Sequence, residues 1–290
     1  MQKTVLDRVE RLADDVVSLV LRGDEGPLAP WEPGAHIDLE LPNWLTRQYS
    51  LCGDPGDLSS YRIAVRHDPL SRGGSEYVHL FLRPGRTLSV SLPRNHFPLR
   101  AAPEYLFLAG GIGITPIVPM LRAAVASGAA ATLVYAGRSR PFAAELVAAY
   151  GERVRLGRPD LAALATEFPA AEVYCCGPEP MLAAAEAVFP RVHTERFQPT
   201  RRVFGPDTPF EVVSARTGET IPVPADESLL DALDHAGRPV PSGCREGVCG
   251  SCEVRVLAGE PEHRDDIGAP AGRMYACVSR ALTPRLVLDL

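Results

Sequence analysis

Three patterns of apolar and polar positions follow one another along the chain. Up to about residue 98, short alternating runs dominate, at 5–10, 16–21, 36–41, 47–51, 61–66 and 87–92. A period of two sends one face of each run to a core and the other to solvent, as in half-buried strands. Turn residues such as Glu32-Pro33-Gly34 and Gly53-Asp54-Pro55-Gly56 separate the runs. Short strands at such spacing predict a barrel or sandwich, with one helix interrupting them near 75–82. From about 103 to 198 the period changes. Apolar strands at 105–109, 132–136 and 172–176 alternate with helical stretches at 115–126, 141–150, 161–168 and 180–189. That order predicts a parallel sheet covered by helices, joined to the first region near 98–103. From about 206 a third unit begins, with Phe204-Gly205-Pro206-Asp207 as the expected linker. It shows a hairpin at 210–215 and 220–223, a helix over 228–236 with Ser228 as its N-cap, and strands at 252–257 and 286–290.

Length agrees with this division, since 290 residues suit two or three domains. Composition is that of an ordinary globular protein, 46% hydrophobic and 23% charged. Residues 1–30 carry charges throughout. The longest uncharged run, 105–121, holds Gly110, Gly111, Gly113, Pro116 and Pro119, which suit a strand–loop–helix and not a membrane span. A soluble, cytoplasmic protein is therefore expected. The net charge is −6, which disfavours a nucleic-acid partner. All of it lies in the third unit. Residues 205–290 hold 14 Asp and Glu against 8 Arg, while the two signs balance in 1–204. Such a domain should steer toward a basic patch on its partner.

The cysteines carry the strongest chemical signal. Seven thiols in a chain read as intracellular argue against a disulfide framework. Cys244-x4-Cys249-x2-Cys252, followed after 24 residues by Cys277, has the plant-type [2Fe–2S] spacing. A tight Gly-rich loop can deliver three thiolates to two irons while a distant segment supplies the fourth. Structural zinc prefers paired short spacings, and these four are asymmetric. Elsewhere Cys175 is expected in the core. Cys176, facing the other way on the same strand, points to the crevice where ligands of open α/β sheets bind. Cys52, His67 and His263 lack partner spacing and are expected to pack or face solvent.

Three other motifs point to the binding of phosphates, a flat ring and a nucleotide. In Arg47-Gln48-Tyr49-Ser50, Arg47 can hold a phosphate, Tyr49 offers a flat face to a ring and Ser50 a hydroxyl to a ring nitrogen. The plain alternative is an ordinary strand with a surface arginine. Arg72-Gly73-Gly74-Ser75 before the 75–82 helix makes the functional reading stronger, because open N–H groups at a helix N-terminus form an anion site. Gly110-Gly111-Ile112-Gly113-Ile114-Thr115-Pro116 follows a strand and opens a helix, the context of a dinucleotide-binding turn, without being G-x-G-x-x-G. Cys175-Cys176-Gly177-Pro178 lies at the end of the last strand expected in the same region.

Together these motifs resemble the ferredoxin–NADP reductase superfamily. Their order, over about residues 5–290, is similar to that of the phthalate dioxygenase reductase family. The resemblance implies an antiparallel Greek-key β-barrel for flavin at 1–100, an α/β parallel-sheet nucleotide domain at 101–200 and an α+β β-grasp ferredoxin domain at 206–290. It implies FMN and a [2Fe–2S] cluster as cofactors, NADH as the electron donor, and a terminal oxygenase as the protein acceptor. Arg47, Gln48, Tyr49 and Ser50 would then contact the flavin, with Ser50 at its N5. Gly74 and Ser75, with Arg72, would hold the FMN phosphate, and Phe197 would cover the ring. Gly111, Gly113, Thr115, Arg138, Cys176 and Pro178 would line the NADH site, with Ser50 and Cys176 taking part in catalysis. Cys244, Cys249, Cys252 and Cys277 would ligate the cluster. Arg138 and Arg140 could also hold the 2′-phosphate of NADPH, although the family's NADH users carry a similar Arg-Ser. A cytochrome P450 is the alternative acceptor, and a redox-sensing module without turnover is a third reading.

Overall fold

Alternation decides the first sheet, as expected. The computed structural model describes residues 1–70, 73–200 and 202–290. In it β1 (Gln2–Ala13), β2 (Val16–Gly23), β3 (His36–Glu40), β4 (Thr46–Ser50), β5 (Ser60–Arg66) and β6 (Thr87–Val90) form one antiparallel sheet. The strand order is β4-β3-β6-β1-β2-β5. A bridge from Leu51, just beyond β4, to Ile63 in β5 joins the two outer strands and closes a Greek-key barrel. Leu6, Leu19, Leu21, Ile37, Leu39, Ile63 and Val90 fill its interior. β1 is longer than its alternation suggests, because register shifts near Leu6/Arg8 and Arg11/Ala13 interrupt the period. Helix α1 (Gly74–Phe81) buries Val78 against this core.

The second sheet is wholly parallel, with order β11-β10-β7-β8-β9. Its strands are β7 (Glu104–Gly110), β8 (Ala130–Ala136), β9 (Val154–Leu156), β10 (Glu172–Cys176) and β11 (Val192–Glu195). Helices α2 (Ile114–Ala126), α3 (Ala143–Tyr150), α4 (Leu161–Glu167) and α5 (Glu179–Val188) connect them. Leu106, Phe107, Leu108 and Ala109 are all fully buried, the unbroken burial of a central parallel strand. The edge strands β9 and β11 were not expected, since three or four residues display no readable period. The chain runs outward from β7 through β8 to β9, then returns to β10 on the other side of β7. The order reverses between β7 and β10, which is where such sheets open a ligand crevice. Barrel and sheet share a core. Val16, Cys52, Ala64 and Phe97 pack in one cluster with Phe107, Ile117, Met120 and Tyr174. Met1–Arg196 accordingly forms one compact unit.

Phe197–Leu290 is the second unit. Its sheet has the order β13-β12-β18-β14-β16. The strands are β12 (Phe210–Ser214), β13 (Thr220–Val223), β14 (Glu253–Ala258), β16 (Arg273–Tyr275) and β18 (Arg285–Leu288). Only the β12–β18 pair is parallel. Two short strands, β15 (Pro261–Glu262) and β17 (Arg280–Ala281), pair separately. Helix α6 (Leu229–His235) buries Leu229, Leu230 and Leu233 in the core, giving the β-grasp arrangement. The Ser228 side chain caps this helix by accepting from the Asp231 N–H at 3.1 Å. The segment expected to be a loose linker is held within this unit. Arg264 donates to Asp207 at 2.7 Å and its guanidinium lies 4.6 Å from the Phe204 ring.

Candidate functional site

The first cradle forms where β4 meets α1. In the β3–β4 register Asp38 faces Gln48 and Ile37 faces Tyr49. Alternation separates Gln48 from its neighbours. Its amide donates to the buried Asp38 carboxylate at 2.8 Å, which Arg94 also holds at 2.8 Å. Arg47 points to α1. A Cβ on Gly74 would lie 2.6 Å from Arg47 Nε, so the helix start fits under the guanidinium only because residue 74 has no side chain. Gly73 takes φ 82°, a left-handed conformation that suits glycine and aims the first N–H groups of α1. Ser75 Oγ accepts from Asp68 N–H at 3.0 Å and so fixes the preceding turn. Ser50 is buried at the end of β4. Burial raises the Tyr49 phenol well above its usual pKa, with Arg47 offsetting part of the rise. Arg72 lies outside the described residues.

The second site is the switch-point crevice, built from backbone. Gly110 ends β7, and Gly111 (φ 56°) turns the chain into α2. A Cβ on Gly113 would sit 2.3 Å from the Cys176 carbonyl oxygen, and one on Gly110 would sit 2.6 Å from Pro178 Cδ. The ends of β7 and β10 can therefore touch only through glycine. On the other side a Cβ on Gly137 would be 3.1 Å from the Gly111 nitrogen. Tyr135 locks this edge, its hydroxyl lying 3.0 Å from the Gly111 carbonyl and 2.9 Å from that of Pro141. Thr115 Oγ1 donates to the Ile112 carbonyl at 3.0 Å and is buried, so its hydroxyl shapes the turn. Arg138 is exposed just beyond β8, and Pro178 is the N-cap of α5. Phe197, 43% exposed, begins the second unit.

Two polar atoms at the carboxyl edge of this sheet, Ser139 Oγ and Glu195 Oε2, are buried without a hydrogen-bond partner among the described residues. An unpartnered buried polar atom calls for a partner, and both of these lie at the edge where ligands of open parallel sheets bind. Glu195 ends β11 directly beside Cys176 in the sheet register. Burial pushes its carboxyl up to about 8, so it keeps its proton at neutral pH. Burial also raises the Cys176 thiol, with the neighbouring Glu195 adding to the rise. Cys175, on the opposite face, packs in the core with Leu106, Leu108 and Leu182, as expected. The sequence reading passed over Glu195. Its only signal was a place in Thr194-Glu195-Arg196-Phe197, directly before the aromatic residue.

The third site is the cysteine loop of the second unit. Cys244, Cys249 and Cys252 are buried and Cys277 is partly so; all four are free thiols. Hydrogen bonds from the Cys249 and Cys277 thiols and from the Glu246 and Val248 N–H groups pull the Cys244 sulfur well below the ordinary thiol range. The same contacts raise Cys249 and Cys277. Cys252 is lowered, chiefly by a hydrogen bond from Cys277. The β14–β16 pairing of Glu253 with Tyr275 brings the distant Cys277 to the loop. Backbone N–H groups surround the sulfurs. Glu246 N lies 3.3 Å from Cys244 Sγ and Cys244 N lies 3.5 Å from Cys249 Sγ. Gly247 has φ 73°, and a Cβ there would lie 2.8 Å from Val278 and 3.1 Å from Asp265 Cα, so only glycine fits. Among the described residues no three His, Cys, Asp or Glu side chains surround a single ion-sized point. The fit to a cluster rests on four converging sulfurs and the N–H groups that would stabilise their charge.

Comparison with known proteins agrees with this geometry. Residues 212–282 match the 2Fe-2S iron-sulfur cluster binding domain family. The chain is 46% identical to phenoxybenzoate dioxygenase subunit beta of Ectopseudomonas oleovorans, over 96% of this chain and 94% of that protein. It superposes on phthalate dioxygenase reductase with TM-score 0.73 and 35% identity, covering 99% of this chain and 97% of that one. It also superposes, with TM-score 0.91 and 40% identity, on an intact type IV self-sufficient cytochrome P450 monooxygenase. There the whole of this chain spans 41% of the larger protein. Fold and sites together define a flavin and iron–sulfur reductase of the kind that serves oxygenases. The chain belongs to the phthalate dioxygenase reductase family. No helix among the described residues is long and apolar enough to cross a membrane.

Proposed function

We propose that the chain takes electrons from NADH, through FMN, to a [2Fe–2S] cluster and then to a separate terminal oxygenase in the cytoplasm. The observation that carries this reading is the presence in one chain of the Arg47–Gly74 cradle, the Gly110–Gly113 turn and the four-cysteine loop. The bound groups supply the redox chemistry, a two-electron hydride acceptor and a one-electron carrier, and the chain positions them. Arg47 and the α1 N-terminus hold the flavin phosphate, with Gly74 leaving room for the guanidinium. Tyr49 packs on the ring and Ser50 donates to it near N5. The Gly110–Gly113 turn brings backbone close to the pyrophosphate of NADH. Ser139 Oγ and Arg138 lie beyond β8, where the adenosine ribose belongs. Glu195 presents a neutral carboxylic acid beside Cys176, whose thiol is buried in the core, so no fixed negative charge opposes the nicotinamide there.

In the second unit the four cysteines ligate the cluster, and the backbone N–H groups around them offset the thiolate charge. The excess of acidic residues in 205–290 steers this unit to a basic patch on the acceptor. Reduction of the true partner should therefore slow severalfold between 0.05 and 0.5 M salt, by about the screening that shortens the Debye length. A second reading, with a cytochrome P450 as acceptor, is favoured by the close superposition on the self-sufficient P450 monooxygenase. The test is an absorption spectrum of the purified protein, chromatography of its released flavin, and steady-state oxidation of NADH and of NADPH with cytochrome c as acceptor. FMN, a [2Fe–2S] spectrum and a preference for NADH are expected. FAD, a colourless second unit, or no turnover would overturn the reading.

A further inference from the structure

The acidic residue next to the cluster loop holds the connection between the two units. Asp266 has a side chain only 6% exposed, and both of its oxygens are taken by the connecting segment. The Thr200 N–H donates to Oδ2 at 2.6 Å, and the Arg202 guanidinium pairs with Oδ1. The backbone of the same residue reaches the cluster loop, where Asp266 N–H donates to the Gly247 carbonyl at 3.1 Å. At the other end Arg196 is held in the first unit by Glu179 at 3.1 Å and Glu186 at 2.8 Å. Between these two clamps stand only Phe197, Gln198 and Pro199.

We propose that Asp266 is a positioning residue that shortens the free tether of the iron–sulfur unit to these three residues, which raises the frequency with which cluster and flavin meet. The proposal rests on the electron route given above. From Arg196 to Thr200 there are four residue steps, a reach of about 14 Å when extended. Without the Asp266 clasp the next side-chain anchor among the described residues is Phe204 under Arg264. The free tether would then be eight steps long, with a reach of about 28 Å. Effective concentration falls roughly as the −3/2 power of tether length, so doubling it lowers productive encounters about threefold. The Gly247 contact uses the backbone of Asp266 and survives a side-chain substitution, so the tether is separable from the cluster loop.

The test uses the full-length holoprotein with Asp266→Ala, and with Arg202→Gln as a second variant that leaves Asp266 in place. Hydrogen exchange at the Thr200 amide should speed at least about tenfold in Asp266→Ala. Flavin reduction by NADH and the visible spectrum of the cluster should match those of the parent. Stopped-flow transfer from reduced flavin to the cluster should fall about threefold in Asp266→Ala and less in Arg202→Gln. Unchanged exchange at Thr200, unchanged transfer, or an altered cluster spectrum in both variants would overturn the proposal. A parent protein that takes no electrons from NADH would instead overturn the reductase reading, and the exchange result alone would then judge the clasp.

Discussion

The nucleotide crevice and the cysteine loop solve the same problem in opposite ways. Both must bring chain segments distant in sequence within contact around a charged group. The crevice does so by removing side chains. Gly110, Gly113, Gly137 and Gly177 let the ends of β7, β8 and β10 approach through bare backbone. The cysteine loop does so by adding them. Its sulfurs are the contacts, and glycine serves to bend the loop around them, most clearly at Gly247. One site is thus sensitive to any added atom and the other to the loss of one particular atom type. The acidic excess also separates the two regions, since the signs balance over 1–204 and acidic residues outnumber basic ones over 205–290.

The largest effect should come from taking one sulfur out of the loop. Cys249→Ser is expected to abolish cytochrome c reduction through the cluster while NADH still reduces the flavin at the parental rate. Cluster absorbance and cytochrome c turnover check this together, and a variant that still passes electrons through its cluster would break the contrast. The converse is Gly113→Ala. A methyl group 2.3 Å from the Cys176 carbonyl forces β7 and β10 apart. Overpacking of this kind costs about 1–3 kcal/mol. NADH should bind at least about tenfold more weakly while the cluster spectrum stays intact, which an NADH titration of flavin reduction would show.

Smaller effects sharpen the picture within the first unit. Ser50→Ala should slow flavin reduction about tenfold, the scale of one hydrogen bond to the reacting ring, without loss of the cluster; unchanged stopped-flow rates would remove that role. The effect of pH through Glu195 is on stability and not on electron transfer. Its folded pKa of about 8 lies above the ordinary carboxylate value of 4.5. The stabilisation from keeping it protonated is therefore complete below pH 4.5 and is lost as pH rises through about 8. Glu195→Gln stays neutral throughout. Its melting temperature should fall less than that of the parent between pH 5 and 8.5, and parallel profiles would contradict the assignment.

These residues also show what could be read before the structure. The cysteine spacing and the Gly110–Gly113 turn were legible because their chemistry fixes residue types at fixed offsets. The barrel and the parallel sheet were legible because alternation and the strand–helix rhythm are local. The proton on Glu195 was not, because it depends on burial at the end of an edge strand too short to recognise. The clasp was not legible either. Asp266 and Thr200 are 66 residues apart, and Phe204-Gly205-Pro206-Asp207 read as a linker. In the folded unit Arg264 and Arg280 hold that stretch through Asp207, Phe204 and the Thr208 carbonyl.

The most direct test of the central claim is anaerobic stopped-flow mixing of the holoprotein with NADH, followed at separate flavin and cluster wavelengths. The account predicts that flavin absorbance bleaches first and the cluster follows, with the second phase lost in Cys249→Ser and the first unchanged. Reduction of the cluster ahead of the flavin, or a second phase that survives in Cys249→Ser, would contradict it.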